Sequence, residues 1–266
     1  MNGKVLFSFD VEEFDLPREH GGEISLEEGV KVSSAGLLKI LELLKRCEVK
    51  ATFFVTGNFA RINPKLVLQI MKDGHEVACH GVDHFEPRVT DICESKKIVE
   101  KVIGAEVVGY RQPRMFKIDY KKLSEAGYLY DSSVNPAWVP GRYNHRDVPR
   151  KMFVREGVVE VPVSVATGLR VPLFWLTLHL SPMMVYMAGV KESLKKTGYF
   201  ATYFHPWEFS DLLRGYGAVP SYIKINSGEK MVGRLEKVIL KLKKGQCEFV
   251  TYEEHINMHL AGIDKT

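Results

Sequence analysis

Short apolar runs alternate with longer amphipathic segments along the chain. The run KVLFSFD, residues 4–10, predicts a buried strand because most of it is strongly apolar. The stretch SSAGLLKILELLKRC predicts a helix with its leucines on one face, and Ser33 or Ser34 is expected to cap its N-terminus. The first predicted unit is therefore a strand followed by a helix.

The same alternation continues through the rest of the sequence. Further strands are predicted in KATFFVTG, HEVACHG, AEVVGYRQP, LYDSS, GVVEVPVS, YFATYFHPWEF and CEFVTY, and further helices in NPKLVLQIMKDG, TDICESKKIVEKVIG, DYKKLSEAGY and residues 231–244. Seven or eight strands separated mostly by helices predict a parallel sheet, and the strand count favours closure into a (β/α) barrel. No repeat or linker divides the chain, so a single domain over residues 1–266 is expected.

One segment, residues 171–190 with the sequence VPLFWLTLHLSPMMVYMAGV, is long enough to span a bilayer. Its two prolines and the central His179 count against a membrane span. The segment is expected to form buried structure or an exposed apolar face near the site. Contact with a membrane surface or a lipid-linked substrate is the alternative.

Composition and charge exclude several classes of function. The net charge is only +4, and four lysines gather at the end of one predicted helix, where they suit the helix dipole better than a nucleic-acid site. The four cysteines form no C-x-x-C pair, which predicts reduced thiols rather than a zinc ribbon or disulfides. No export signal is visible, so a cytoplasmic protein is expected.

Polar residues of a coherent chemical type follow the predicted strands. In a parallel barrel the carboxyl ends of the strands meet at one face, where catalytic groups gather. The residues at these ends are Asp10, Glu12, His80, His84, Arg111, Asp131 and His205.

The sequence HGVDH places His80 and His84 four residues apart, so one helical turn or a tight loop can direct both imidazoles at one ion. Two histidines and one carboxylate leave coordination positions free, as a catalytic divalent site requires. Cys79 is a poor further ligand, because neighbours on a strand point to opposite sides.

The remaining residues supply charge and proton transfer. Arg111 is expected to pair bidentately with a carboxylate, keeping it ionised and oriented. Asp131 is expected to raise the pKa of His205 enough to make it a proton donor. Glu13 and Asp15 are expected to face solvent or local backbone. Together these residues predict metal-assisted hydrolysis of an amide-like bond.

These residues resemble the motifs of the polysaccharide deacetylase family, also called the NodB-homology or carbohydrate esterase 4 family. The resemblance runs through five segments in order: SFDVEEFD, HGVDH, YRQP, DSSVNP and YFHPWE. The fold that this resemblance implies is a deformed (β/α) barrel.

The resemblance also implies roles for individual residues. Asp10 would be the general base, positioned by Arg111, and His205 would be the general acid, tuned by Asp131. The implied metal ligands are Glu12, His80 and His84, usually of zinc, and the implied pocket residues are Tyr203 and Trp207.

Two positions depart from the family's usual motifs. Val11 separates Asp10 from Glu12, where the family usually has adjacent acids, so either carboxylate could be the metal ligand. Gly81 stands where the family usually has Ser or Thr. Allantoinase-like and cyclic-imide-hydrolase-like members with a similarly altered first motif hydrolyse other C–N bonds, some of them without a metal.

The resemblance implies a hydrolase that removes N-acetyl groups from N-acetylhexosamine units in a polysaccharide, an oligosaccharide or a lipid-linked sugar. One alternative is a hydrolase of small ureides or cyclic amides. Another is a catalytically silent carbohydrate-binding barrel, which has no need of the acid and base that this sequence retains.

Overall fold

A computed structural model describes residues 2–139, 143–166, 168 and 170–263. The strands of this part of the chain are β1 Lys4–Val11, β2 Thr52–Val55, β3 Glu76–Cys79, β4 Gly109–Tyr110, β5 Tyr130–Asp131, β6 Trp138–Val139, β7 Tyr143–Asn144, β8 Phe153–Arg155, β9 Val158–Glu160, β10 Tyr199–Phe204 and β11 Glu248–Phe249.

The helices lie between and after these strands. They are α1 Leu16–Glu19, α2 Leu26–Cys47, α3 Gly57–Ile62, α4 Pro64–Lys72, α5 Asp91–Ile103, α6 Tyr120–Glu125, α7 Trp175–Leu180, α8 Met183–Thr197, α9 Ser221–Lys224, α10 Glu229–Lys244 and α11 Tyr252–Ile263, with short 3-10 turns at Pro113–Met115, Pro206–Phe209 and Asp211–Gly215.

The main sheet has nine strands in the order β10-β1-β2-β3-β4-β5-β9-β8, with β11 paired to β1. Every pairing is parallel except that of β8 with β9. The chain beyond β9 curls back to β10, where the Ser164 amide donates to the Ala201 carbonyl at 2.9 Å. The predicted fold, a deformed (β/α) barrel, is confirmed.

Strand β1 is buried on both faces and places the first acids inside the barrel. Phe7 and Phe9 pack in the main core with the helices, whereas Leu6 belongs to a second cluster inside the barrel. Because side chains alternate along a strand, Asp10 and Glu12 lie on the same side as Leu6. Both carboxylates therefore reach the mouth of the barrel.

Helix α2 begins earlier than the sequence analysis predicts. Its N-cap is Ser25, which forms a capping box with Glu28, and Ser33 lies buried within the helix. The prediction of a cap at Ser33 or Ser34 was wrong, because the Ser25 cap satisfies the first free amides about two turns upstream.

The apolar segment 171–190 forms α7 and most of α8. Some of its residues are buried, and others, such as Met184, are highly exposed. Among the residues that the structure describes, no helix combines the length and hydropathy needed to cross a membrane.

Candidate active site

The barrel mouth brings Asp10 and Arg111 into contact. Arg111 follows β4, is fully buried, and donates from Nη1 to Asp10 Oδ1 at 2.6 Å. Its other bonds go to Ser8, Ser132 and Tyr252, so the ion pair forms through one guanidinium nitrogen and not bidentately. Burial acts to lower the pKa of Arg111, but Asp10 outweighs burial and raises that pKa, so the cation is permanent.

Glu12, His80 and His84 converge at the same mouth. Glu12 Oε2 lies 3.4 Å from His80 Nε2 and 3.0 Å from His84 Nε2. One ligand atom from each residue lies within 4.8 Å of the others, and all three side chains are buried. The second Asp10 oxygen lies 3.9 Å from His80 Nε2. These three residues form a group that could hold a metal ion, with Asp10 beside it.

The hydrogen bond of His80 fixes which of its nitrogens is available. Nδ1 lies 2.9 Å from the Arg111 carbonyl oxygen, which can only accept, so Nδ1 carries the hydrogen. The lone pair of Nε2 then faces a carboxylate oxygen, and both atoms are buried without a hydrogen-bond partner in the part of the chain that the structure describes. Two facing lone pairs repel unless a cation lies between them, so this donor set fits a divalent metal.

His84 is oriented by a residue that the sequence analysis placed elsewhere. Its Nδ1 lies 2.9 Å from Asp15 Oδ2, and Arg114 donates to that same oxygen at 2.8 Å. A carboxylate on the distal nitrogen of a histidine ligand fixes the ring and its tautomer. Asp15 is 4% exposed, so the prediction that it faces solvent or local backbone was wrong.

Glu13 is also buried, contrary to the same prediction. It accepts hydrogen bonds from the Thr56 hydroxyl, the Asn58 amide and the His84 backbone amide. The His84 loop leaves β3 and returns beside β1, which encloses this carboxylate. Glu13 therefore anchors the backbone of the loop that carries His84.

Electrostatics at the convergence point favour positive charge. Burial acts to raise the pKa of Glu12, but the charges of His84 and His205 outweigh it and hold the pKa below its ordinary value. Burial acts to lower the pKa of His84, but Glu12 and Asp15 raise it to about 9. The negative charges of Glu12 and Asp15 therefore favour a bound cation at this point, whether a proton on His84 or a metal ion.

His205 directly follows β10, and a glutamate three residues later holds it. Its Nδ1 lies 2.9 Å from Glu208 Oε1, which also accepts from the His205 amide at 2.6 Å. The second Glu208 oxygen lies 3.0 Å from His179 Nε2, and Glu208 and the His179 side chain are fully buried. Burial acts to lower the pKa of His205, but Glu12 and Glu208 outweigh it and raise that pKa.

Asp131 contacts Ser133 and Glu160. It ends β5, accepts from the Ser133 hydroxyl at 2.7 Å, and lies beside Glu160 across the strand pair. Burial raises the pKa of Asp131, and burial together with Asp131 raises the pKa of Glu160 well above its usual range. Glu208, rather than Asp131, occupies the position against His205 Nδ1.

The two predicted pocket residues flank His205. The Trp207 indole stacks on the His205 ring with centroids 4.8 Å apart, and it donates from Nε1 to Glu12 at 3.0 Å. The Tyr203 ring lies 5.6 Å from the His205 ring and 5.3 Å from the Arg111 guanidinium carbon. Trp207 thereby links the Glu12–His80–His84 group to His205.

Gly81 is required by the geometry of the His80–His84 loop. Its φ is +67°, and an added Cβ would lie 2.8 Å from Pro113 Cγ. The glycine at this departure from the family's usual motif therefore allows the loop to pass close to the segment after Arg111.

Five residues of the site were missed or misplaced in the sequence analysis. They are Glu13, Asp15, Arg114, His179 and Glu208. The sequence carries a local signal for three of them: Glu13 and Asp15 stand in the same acidic run as Asp10, and Glu208 stands three residues after His205. Arg114 and His179 reach the site through tertiary contacts and give no local signal.

Comparison with known proteins shows similarity to polysaccharide deacetylases over part of the chain. The polysaccharide deacetylase family model matches residues 27–128. The peptidoglycan-N-acetylglucosamine deacetylase of Bacillus cereus is 35% identical over 99 residues, which cover 34% of this chain and 46% of that protein. This chain thus matches less than half of that relative's length.

Two further similarities extend over most of the chain. The peptidoglycan deacetylase of Helicobacter pylori is 23% identical over 262 residues, covering 88% of each protein. A solved Mycobacterium smegmatis structure, described as a polysaccharide deacetylase, covers 98% of this chain and 91% of its own, with a TM-score of 0.65 at 20% identity. The structural likeness extends the similarity in fold beyond the matched segment.

Proposed function

The chain belongs to the polysaccharide deacetylase family, and we propose that it hydrolyses N-acetyl groups on N-acetylhexosamine units of a polysaccharide, an oligosaccharide or a lipid-linked sugar. The observation that carries this proposal is the convergence of Glu12, His80 and His84 beside an Arg111-bound Asp10. Together with His205, this arrangement has the acid, base and cation site that amide hydrolysis requires.

Zinc is the cofactor that these ligands suit best. Two imidazoles and one carboxylate match the ligand types of catalytic zinc and leave a coordination position open. When bound, the metal supplies Lewis-acid polarisation and positive charge at the reacting carbonyl. The chain's own contribution is to orient these donors, through the Arg111 carbonyl on His80 Nδ1 and the Asp15 carboxylate on His84 Nδ1.

The protons move through Asp10 and His205 in this proposal. Arg111 engages one Asp10 oxygen, which leaves the other to take the proton of the attacking water. Water oxygen bonds to the acetyl carbon, the C–N bond breaks, and His205 donates its proton from Nε2 to the departing amine. Acetate and the free amino sugar are the products.

Glu208 supports the acid in this scheme, and Tyr203 lines the acyl side. Glu208 holds Nδ1 of His205, which leaves Nε2 for transfer and stabilises the protonated ring. Tyr203 is 8% exposed and adjoins both Arg111 and His205, a suitable place for an apolar wall beside a small acetyl group.

Acetate release from chitooligosaccharides tests the proposal. We expect turnover by the purified protein, loss of turnover with a chelator, and recovery with added zinc. Metal analysis should give about one zinc per chain, with loss of the metal in His80→Ala and His84→Ala. The exposed residue His20 provides a matched control, because His20→Ala should retain both metal and activity.

Two results would contradict the proposal. Equal metal content in His84→Ala and the unchanged protein would remove the metal site. Hydrolysis of allantoin-like compounds that survives chelation, without acetate release from sugars, would instead establish the ureide hydrolase alternative.

A further inference from the structure

The outer faces of α8 and α10 form an open groove. Its floor and walls carry three methionines, Met183, Met184 and Met187, and its rim carries Lys191 from α8 with Lys241 and Lys244 from the end of α10. The groove has a volume of about 460 Å³. We call it the Met–Lys groove.

Large apolar side chains next to the Met–Lys groove are exposed to an unusual degree. Met184, which lines the groove, is 86% exposed; outside the lining, Val185, the next residue of α8, is 62% exposed, and Leu240, four residues before Lys244 on α10, is 56% exposed. Single exposed apolar residues are ordinary, but adjacent ones around an apolar groove leave a surface that water solvates poorly.

The charge at the rim is positive and uncompensated. Lys191, Lys241 and Lys244 have no ion pair within the described ranges of the chain, and Lys237 lies on the same face of α10 as the last two. The acids of these two helices are engaged elsewhere: Glu192 pairs with Lys196, Glu229 with Lys39, and Glu236 with Arg46. The helix dipole of α10 accounts for lysines at its end, but it does not account for exposed methionine and valine beside them.

Exposed apolar side chains and lysines without an ion pair occur together on this surface. We therefore propose that the Met–Lys groove docks the protein on an anionic lipid surface. Apolar side chains enter the boundary of the acyl region while lysines meet acidic headgroups, which is how peripheral proteins bind membranes. A neutral partner would leave the lysines without a counterpart, and a polar anion would leave Met184 and Val185 in water.

The groove connects structurally to the candidate active site. Helix α7 ends three residues before α8 begins, and its Trp175 contacts His205 and Trp207 with ring centroids 5.5 and 5.4 Å away. Helix α8, which carries the three methionines, therefore follows directly on the helix that packs against His205. The docking proposal itself does not depend on the reaction that the site performs.

Vesicle flotation tests the proposal with the whole chain. We expect binding to vesicles of phosphatidylcholine with phosphatidylglycerol, little binding to phosphatidylcholine alone, and loss of binding at high ionic strength. The variant Lys241→Glu/Lys244→Glu should weaken binding by roughly fivefold or more for each lysine, and Met184→Glu/Val185→Glu should abolish it.

Matched controls separate docking from general effects of charge. Val154→Glu on β8, where Val154 is 66% exposed, and Lys121→Glu on α6 should bind vesicles as the unchanged protein does. Acetate release from soluble chitooligosaccharides should be unchanged in all four variants, which distinguishes failure of docking from failure of the proposed function.

Two outcomes would overturn the proposal. Equal flotation with neutral and anionic vesicles, or unchanged flotation of both groove variants, would show that the groove does not dock on lipid. A dimer by light scattering that Met184→Glu/Val185→Glu converts to a monomer, with no vesicle binding, would assign the groove to a second copy of the chain.

Discussion

Glu208 accepts from the His205 backbone amide and lies against the His205 ring, so one carboxylate sets both the position and the charge of this histidine. The contact of Glu208 with His179 buries the second oxygen and prevents it from rotating toward solvent. A carboxylate in such a place keeps the histidine in one tautomer and favours its protonated form.

Replacing Glu208 by Gln should therefore impair the acid more than replacing Asp131 by Asn. We expect Glu208→Gln to lower kcat about 100-fold or more with a small change in KM. The alkaline limb of the kcat–pH profile should move to lower pH in this variant. His205 acts in its protonated form, and Glu208 raises the pKa of His205. Steady-state kinetics across pH measures both effects. A larger loss of kcat in Asp131→Asn, with Glu208→Gln unaffected, would contradict this assignment.

Residue chemistry at the strand ends was the most predictable part of the site. The sequence motifs identified Asp10, Glu12, His80, His84 and His205, and the structure brings all five to one mouth. The partners that orient them were not predictable in the same way. Arg114 reaches Asp15 across 99 residues, and such contacts depend on how loops fold back over the barrel.

At the scale of elements, the turn that carries Glu208 packs directly on helix α2. Gly36 of α2 has no room for a side chain, because an added Cβ would lie 1.7 Å from the Pro206 carbonyl oxygen. This close approach fixes the 3-10 turn that follows His205. The glycine therefore matters to the site although it touches none of the proposed catalytic atoms.

Gly36→Ala should displace that turn, while Gly233→Ala in α10 should be harmless. An added methyl group at Gly36 should cost about 1–3 kcal/mol of unfolding free energy and lower kcat, because Glu208 shifts with the turn. An added Cβ at Gly233 meets nothing within 4 Å, so Gly233→Ala should stabilise the protein by about 0.5–1 kcal/mol. Urea denaturation and kcat measure both variants, and equal behaviour of the two would refute the packing argument.

Element boundaries were less predictable than element types. The sequence of α2 contains Ser25 three residues before Glu28, a capping-box signature, followed at once by Gly29, a weak helix former. A glycine is needed at position 29, because an added Cβ would lie 2.7 Å from the Phe14 carbonyl oxygen. That requirement comes from tertiary packing, which periodicity along the chain does not report.

At the scale of the whole molecule, His75 links stability to pH. The side chain is 8% exposed, packs against Phe53, and neither ring nitrogen has a hydrogen-bond partner in the described chain. Burial lowers its pKa from 6.5 to about 4. The unfolded chain binds the proton more tightly, so the stabilising effect of neutral His75 is complete above pH 6.5 and is lost as pH falls toward 4.

This linkage predicts a measurable loss of stability in acid. Between about pH 7 and about pH 5, His75 should account for about 2 kcal/mol of the decrease in unfolding free energy. The variant His75→Leu should lack this part of the slope, and His20→Leu, at an exposed histidine, should retain it. Chemical denaturation at several pH values compares them. An unchanged slope in His75→Leu would show that His75 does not cause it.

The overall architecture was largely predictable from the alternation of strands and helices. The antiparallel strand β8 and the separate β6–β7 pair were not, whereas the short β11 lies within the predicted strand CEFVTY. Strands of two or three residues carry too few side chains for a periodic pattern, so their pairing is decided by neighbours in space.

The pairing of β1 with β10 has a consequence for biosynthesis. Glu12 meets Trp207 across 195 residues, and β1 pairs along its length with a strand translated much later. A nascent chain released only as far as β9 would hold its first carboxylates without the histidine and indole that face them. The complete site would then form only when β10 inserts beside β1. Pairing of strands so far apart in sequence is slow, so this step would limit the yield of active enzyme.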